Sequence, residues 1–393
     1  MSTLKVDAIR HNSATSDAIT TAADGTCTAK LTSVGGGQLS HRNLIINGAM
    51  QVAQRSTSET GIGAAAGYFT LDRYRTTFSG TAGRLTMSQV ADVHDGFANA
   101  MKLDCTTADT SVGASEYFIL QQKFEGQDLQ QLKKGSSDAE EFTVSFYVKG
   151  NASATYVVEM FDLDNSRQVS KTFSVTTSWT RVVLTFPADT TGALDDDNNA
   201  SLQLGIWLHA GSNYTSGTLN SSAFAAQTSA QRAGGISSFF DSTDRTFFLT
   251  GLQLEVGNTA TTFEHRTYQE EILRCMRYYQ QLTGDDRGYN GATGSTGSFK
   301  NSVIGIYNTA TDIRAIYYHM VPMRNEPTLT VLGAVSDFDL EPFDRAPSSI
   351  AMNRAGVFQS TLLIQDSGSA TQGNAAQLTI DQAAGGLAFS AEL

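Results

Sequence analysis

"FTVSFYVKG", residues 142–150, carries two interleaved sets of side chains. Phe142, Val144, Phe146 and Val148 form one set, and Thr143, Ser145 and Tyr147 form the other. A period of two belongs to a β-strand, whose successive side chains leave opposite faces; a helix would repeat its apolar positions every three or four residues. The apolar set is expected to face a core, and Thr143, Ser145 and Tyr147 a shallow concave surface. The same texture recurs in RLTMSQV (84–90), EYFILQQKF (116–124), TYVVEMFDLD (155–164), RQVSKTFSVT (167–176), TRVVLTFPA (180–188), SLQLGIWLHA (201–210) and RTFFLTGLQLEV (245–256). Turn residues separate these segments, with no helical run between them. Strands so spaced predict an antiparallel sandwich with Greek-key connections, a jelly roll.

Composition agrees. Charged residues make up 17% of the 393 and glycine reaches 35, with Ser, Thr, Ala and Asn abundant, a mixture suited to short strands and turns rather than long wet-faced helices. The length gives room for two cores. A net charge of −12 argues against nucleic acid, whose phosphates call for clustered Lys and Arg, and against docking on an anionic bilayer by charge. No stretch approaches the roughly 20 apolar residues of a membrane span, and "MSTLKVDAIRHNS" has no apolar core of a secretion signal, so membrane insertion is not expected. The three cysteines, Cys27, Cys105 and Cys275, are too far apart to suggest a zinc site or a disulfide framework, which fits folding in a reducing cytoplasm.

Four parts follow. Residues 1–40 are small and polar, with short extended pieces around Val6 and Ile19; they cannot bury a core of their own and read as an arm docking on a larger body, hinged at Gly35–Gly37. Residues 41–268 are the sandwich. Its last piece, "LQLEVGNTATTFEHRTY" (252–268), reads as a strand, a tight turn, an extended crossing and a helix start. Residues 269–284 read as a linking helix of about four turns, with Ile272, Cys275, Met276, Tyr279 and Leu282 on one face, which packs either on its own chain or on another copy. Residues 285–393 alternate again in VIGIYNTATDIRAIYYHM, PTLTVLGAV, GVFQSTLLIQ, AAQLTI and GLAFSAEL, and hold four of the five prolines, which predicts a second, smaller β-domain of short strands.

Taken in order, "RNLIINGAMQVAQRS" (42–56), "YFTLDRYR" (68–75), "LTGLQLEVGNTATTFEHRTYQEEILRCMRYYQ" (249–280), "MRNEPTLTV" (323–331) and the closing "FSAEL" resemble the tail-fibre and appendage proteins of tailed phages, including those of marine phages. "STLKVDAIRHNSATSDAITT" is similar to the amino-terminal arms that fix such proteins to the virion. Tyr74 stands where many relatives have tryptophan after the Asp-Arg pair, which keeps an aromatic anchor. The resemblance implies a virion structural protein, made in the host cytoplasm and released by lysis, and a homotrimer. It implies a carbohydrate-module-like jelly roll as shaft, an arm on a tail adaptor or nozzle protein, and a distal domain that meets a host surface glycan or other receptor. A closed assembly would also cover strand edges.

No catalytic constellation stands out. None of the six histidines sits in HExxH, and neither GxSxG nor a P-loop pattern is present. Asp162 with Asp164, or the run Asp195–Asp197, is acidic enough for a glycosidase, but sequence does not give the carboxylate spacing that such chemistry needs. No cofactor is expected. "ALDDDNNASL" (193–202), which lacks EF-hand spacing, reads first as a solvated turn, as does "FDLDNSR" (161–167); the alternative is structural calcium, for which Asp195, Asp197 and Asn199 offer oxygen donors. Sugars are gripped by exposed flat aromatics with polar neighbours, so Trp207, His209 and Tyr214 in the body and Tyr289, Tyr317 and Tyr318 in the distal part are candidates, against ordinary strand packing for each. The leading expectation is a non-enzymatic tail fibre; a head decoration or tail-knob protein and a polysaccharide depolymerase are the alternatives.

Overall fold

The computed structural model describes residues 6–10, 12, 13, 15, 18–23, 27–29, 40–284, 301–382 and 384–393. The protein is mainly antiparallel β. In the arm, Ala8–Ile9, Ile19–Thr21 and Cys27–Ala29 pair into a small three-stranded sheet.

The body is a jelly-roll sandwich of two sheets. One runs, strand by strand, Thr180–Phe186, Phe142–Gly150, Thr246–Val256, Ala100–Thr107, Arg84–Val90 and Ser58–Ile62. The other runs Ala225–Ala226, Arg167–Val175, Ala154–Asp162, Ala200–Ala210, Tyr117–Glu125, Arg75–Ser79 and Gly67–Tyr68. Phe142, Val144, Phe146 and Val148 all enter the core between them, where each contributes about 1.5–3 kcal/mol of burial free energy. The central strand Ala100–Thr107, absent from the sequence expectation, puts Met101, Leu103 and Cys105 into that core while Lys102 and Asp104 pair at 2.8 Å on the outside.

The concave surface expected over Thr143, Ser145 and Tyr147 does not exist as such: Thr143 and Ser145 are buried. The chain after Val256 crosses that face. Thr143 donates to Gly257 O at 2.8 Å, Glu255 accepts from Thr261 N at 2.9 Å, and Phe97 sits between Tyr147, Phe263 and His265. Gly251, at φ +62°, marks the bulge in this strand pair; a Cβ there would come within 2.6 Å of the Phe97 ring.

The "NLIING" stretch closes the sandwich from the other direction. Asn43 Nδ2 donates to Leu252 O (3.2 Å), and its Oδ1 accepts from Ile45 N and Leu254 N. Asn47, fully buried with φ 62°, donates through Nδ2 to Val52 O and Asp72 O. Gly48 lies so near Leu252 O that a Cβ would stand 2.2 Å from it. The residues that carry the resemblance here are therefore structural.

The helix is shorter than expected: Tyr268–Met276 rather than 269–284. Thr267 and Glu270 form a capping box, and Ile272, Cys275 and Met276 pack on Val52 of their own chain. Tyr279 and Leu282 belong instead to strand Tyr279–Thr283, which pairs with the closing strand Gly386–Ser390. Helical spacing survives by coincidence; pairing with a distant strand overrides it, and Gln280 Nε2 fastens the change of direction to Met276 O and Val321 O.

Residues beyond 300 form a second core on a six-stranded sheet, in the order Phe338–Glu341, Ala375–Ile380, Ser302–Tyr307, Asp312–Tyr318, Gln359–Asp366 and Pro347–Arg354. A three-stranded sheet, Tyr279–Thr283, Gly386–Ser390 and Thr328–Leu332, lies between this and the body. Arg324 ties the parts together by donating to Ala391 O and Asn198 O, both at 2.7 Å.

Candidate binding surfaces

Strand Ser302–Tyr307 buries Val303, Gly305 and Tyr307 and turns Ser302, Ile304 and Ile306 outward. Its neighbour Asp312–Tyr318 buries Ile313 and Ala315 and turns Arg314, Ile316 and Tyr318 outward. Ile306 pairs with Arg314, Arg314 with Leu363, Ile316 with Thr361 and Tyr318 with Gln359, so these side chains share one face of a continuous sheet. Ile304 is 70% exposed, Ile306 56%, Ile316 44% and Tyr318 68%. They line a shallow groove of about 580 Å³. Arg314 Nη1 donates to Asn353 Oδ1, so the apolar floor has a polar rim. The inner side is fixed by Asp366, which accepts from Tyr307 Oη at 2.5 Å and from both arms of Arg345. The Arg345 guanidinium holds the Asp366 carboxyl down at about 2.

A second groove, of about 400 Å³, lies on the seam between body and three-stranded sheet and includes Arg55, Glu59, Tyr68, Phe69, Gln281 and Thr330. Much of its polarity is engaged: Arg55 stacks 3.6 Å over the Tyr279 ring and pairs with Glu392 at 3.1 Å, and Tyr68 donates to Leu393 O at 2.8 Å. Sequence alone gave no signal for this groove, because its residues come from separate segments that only the tertiary fold assembles.

The aromatic candidates separate sharply. Trp207 is fully buried, its Nε1 donating to Glu159 Oε2 at 3.0 Å and its ring packed with Tyr117 and Tyr214, so it offers no face to a sugar. A β-strand at the centre of a sheet with loops over its outer face buries both sets of side chains, which a period of two does not reveal. His209 is equally buried, with Nδ1 2.8 Å from Ser238 Oγ. Tyr214 is half-buried on a one-turn helix, Ser212–Thr215, edge-on to Tyr117. Tyr317 faces inward and stacks on Phe389 at 4.4 Å. Tyr318 alone of the described candidates presents an open ring, and Tyr289 lies outside the described residues.

The acidic residues hold turns. Asp197 accepts from Asn199 N (2.8 Å) and Asn199 Nδ2 (2.6 Å), and Asp195 N donates to Asp164 Oδ2 at 3.0 Å. Asp162 is fully buried against Lys134 and accepts from Asn165 N. Among the described residues, the three ligating side chains that converge are others: Asp109, Glu116 and His209.

No protein-family model and no curated protein matches the chain. Solved structures similar to part of it include a family 4 carbohydrate-binding module (12% identity, TM-score 0.27, 53% of this chain and 97% of that one). The xylan-binding CBM22-1 domain of Paenibacillus barcinonensis Xyn10C is similar at 12% identity and TM-score 0.28, over 58% and 100%. The enzymatically active domain of bacteriophage CBA120 tailspike protein 4 is similar at 10% identity and TM-score 0.28, over 55% of this chain but only 21% of that chain. At these scores the likenesses carry no functional argument, and the fold rests on the sheets described above.

Proposed function

We propose that this chain is a non-enzymatic virion appendage subunit, a tail fibre that recognises a host surface glycan through the outer face of its distal sheet. In this reading residues 1–40 dock on a tail adaptor or nozzle protein, and three copies assemble into a homotrimer, so that weak single sites gain avidity. The virion assignment is supported by the ordered motifs from Arg42 to Leu393. The binding role is carried by one observation, the open face on which Tyr318, Ile316, Ile304 and Ile306 stand beside Arg314. Contiguous exposed apolar surface on a rigid scaffold marks an interaction site. Tyr318 would cover the apolar face of a sugar ring while Arg314, Asn353 and Gln359 take hydroxyls.

A second reading has support in the isoleucines, whose side chains suit a protein partner better than a sugar: the same face joins distal domains of sister copies. Binding of labelled protein to immobilised bacterial surface polysaccharides, with sedimentation on the same samples, separates the two. Loss of binding in Tyr318→Ala with the assembly intact supports glycan recognition. Dissociation of the assembly in Ile304→Asp, with Tyr318→Ala binding normally, supports the contact between copies. Release of reducing ends by the wild type would overturn the non-enzymatic assignment in favour of a depolymerase.

A further inference from the structure

Asp109, Glu116 and His209 come from three places: the segment after strand Ala100–Thr107, the residue before strand Tyr117–Glu125, and strand Ala200–Ala210. Their ligating atoms all lie within 4.8 Å of one another. His209 Nε2 and Glu116 Oε2 face each other at 3.7 Å, too far for a hydrogen bond, and both are buried with no hydrogen-bond partner. A fully buried imidazole with an unpartnered nitrogen aimed at a carboxylate oxygen is an unfavourable arrangement unless something lies between them. Two donors bound to one zinc at about 2.0–2.2 Å stand roughly 3–4 Å apart, which matches the 3.7 Å between His209 Nε2 and Glu116 Oε2.

The surroundings fit a ligand set held in readiness. His209 Nδ1 is 2.8 Å from Ser238 Oγ, the kind of outer contact that fixes the tautomer of a metal-binding imidazole. Asp109 is oriented by Thr81 Oγ1 at 2.7 Å and Ala82 N at 2.8 Å, and its own backbone N–H donates to Phe240 O at 2.8 Å.

We infer that Asp109, Glu116 and His209 form a divalent transition-metal site, zinc by preference, that staples one end of the sandwich. One imidazole with two carboxylates is a donor set for zinc rather than for calcium, which takes six to eight oxygens. The ion joins the segment holding Asp109 and Glu116 to the strand carrying His209, and through Thr81 and Ser238 to the loops beside them.

The test uses the full, tag-free chain, stripped with chelator and dialysed against zinc chloride, with metal content and calorimetric binding measured on wild type, Glu116→Gln and His209→Gln. The expected result is one zinc per chain, a rise in melting temperature with zinc but not with calcium or magnesium, and affinity at least tenfold weaker in both variants. Cobalt(II) should give a visible d–d spectrum that Glu116→Gln diminishes. Glu116 is only partly buried, so Glu116→Gln decides the matter even if His209→Gln fails to fold. Wild type that takes up no zinc, or a folded Glu116→Gln that binds it as tightly as wild type, overturns the site.

Discussion

Arg73 and Glu392, 319 positions apart in sequence, meet at 2.5 Å with side chains 1% and 7% exposed. The Arg73 guanidinium also lies 3.4 Å over the Tyr278 ring and donates to Lys123 O at 2.8 Å. This pair locks the end of the chain onto the body, so the distal sheets are held rather than tethered. Removing one partner strands a buried charge, so Glu392→Ala should cost about 3–5 kcal/mol in urea unfolding. It should also lower amide-exchange protection in strand Gly386–Ser390 before that in strand Phe142–Gly150.

Asp72 shapes the pH dependence of the same seam. Burial pushes its carboxyl up to about 6 from an ordinary 3.8, although Arg55 and the Gln54 side chain pull the other way. The folded state therefore binds this proton more tightly than the unfolded chain. The stabilisation is complete below pH 4 and is lost as pH rises through 6, a swing of up to about 3 kcal/mol. Asp72→Asn should flatten this part of the profile, read as urea midpoints between pH 4 and 7.

Asp366 acts in the opposite sense. With the Arg345 pair holding it down at about 2, the stability it gives the distal sheet is present above pH 4 and is lost as pH falls toward 2. Asp366→Asn should raise the pH at which the distal domain unfolds in acid, followed by tyrosine near-ultraviolet circular dichroism.

Trp207 should behave as core. Trp207→Ala is expected to cost about 3–5 kcal/mol, and Trp207→Phe about 1–3 kcal/mol through the hydrogen bond lost by buried Glu159. Tyr318→Ala, on an open face, should stay within about 0.5 kcal/mol of wild type. Thermal and urea unfolding of the three variants checks the contrast.

The sandwich was legible because Phe142, Val144, Phe146 and Val148 obey a period of two, and the strand beginnings and ends fell close to expectation. The end of the helix was not legible: Tyr279 and Leu282 fit a helical face and a strand equally, and the deciding partner lies more than 100 residues away. The binding face was half legible. Tyr318 was visible as an aromatic, but the alternation in "SVIGIY" does not say whether Ile304 and Ile306 or Val303 and Tyr307 face the core. Inside, Tyr307 takes its place through Asp366 and Gly305 admits Ala315 opposite, which turns the isoleucines to the surface. Asp109, Glu116 and His209 gave no spacing signal, because sheet pairing rather than sequence proximity brings them together.

The most direct test of the central claim is binding of purified, fluorescently labelled wild type and Tyr318→Ala to bacterial surface polysaccharide, at matched concentration and assembly state. The account predicts saturable wild-type binding, competed by soluble polysaccharide and reduced at least tenfold in the folded variant. Equal binding by both proteins, or none by the wild type, would contradict glycan recognition by the distal sheet.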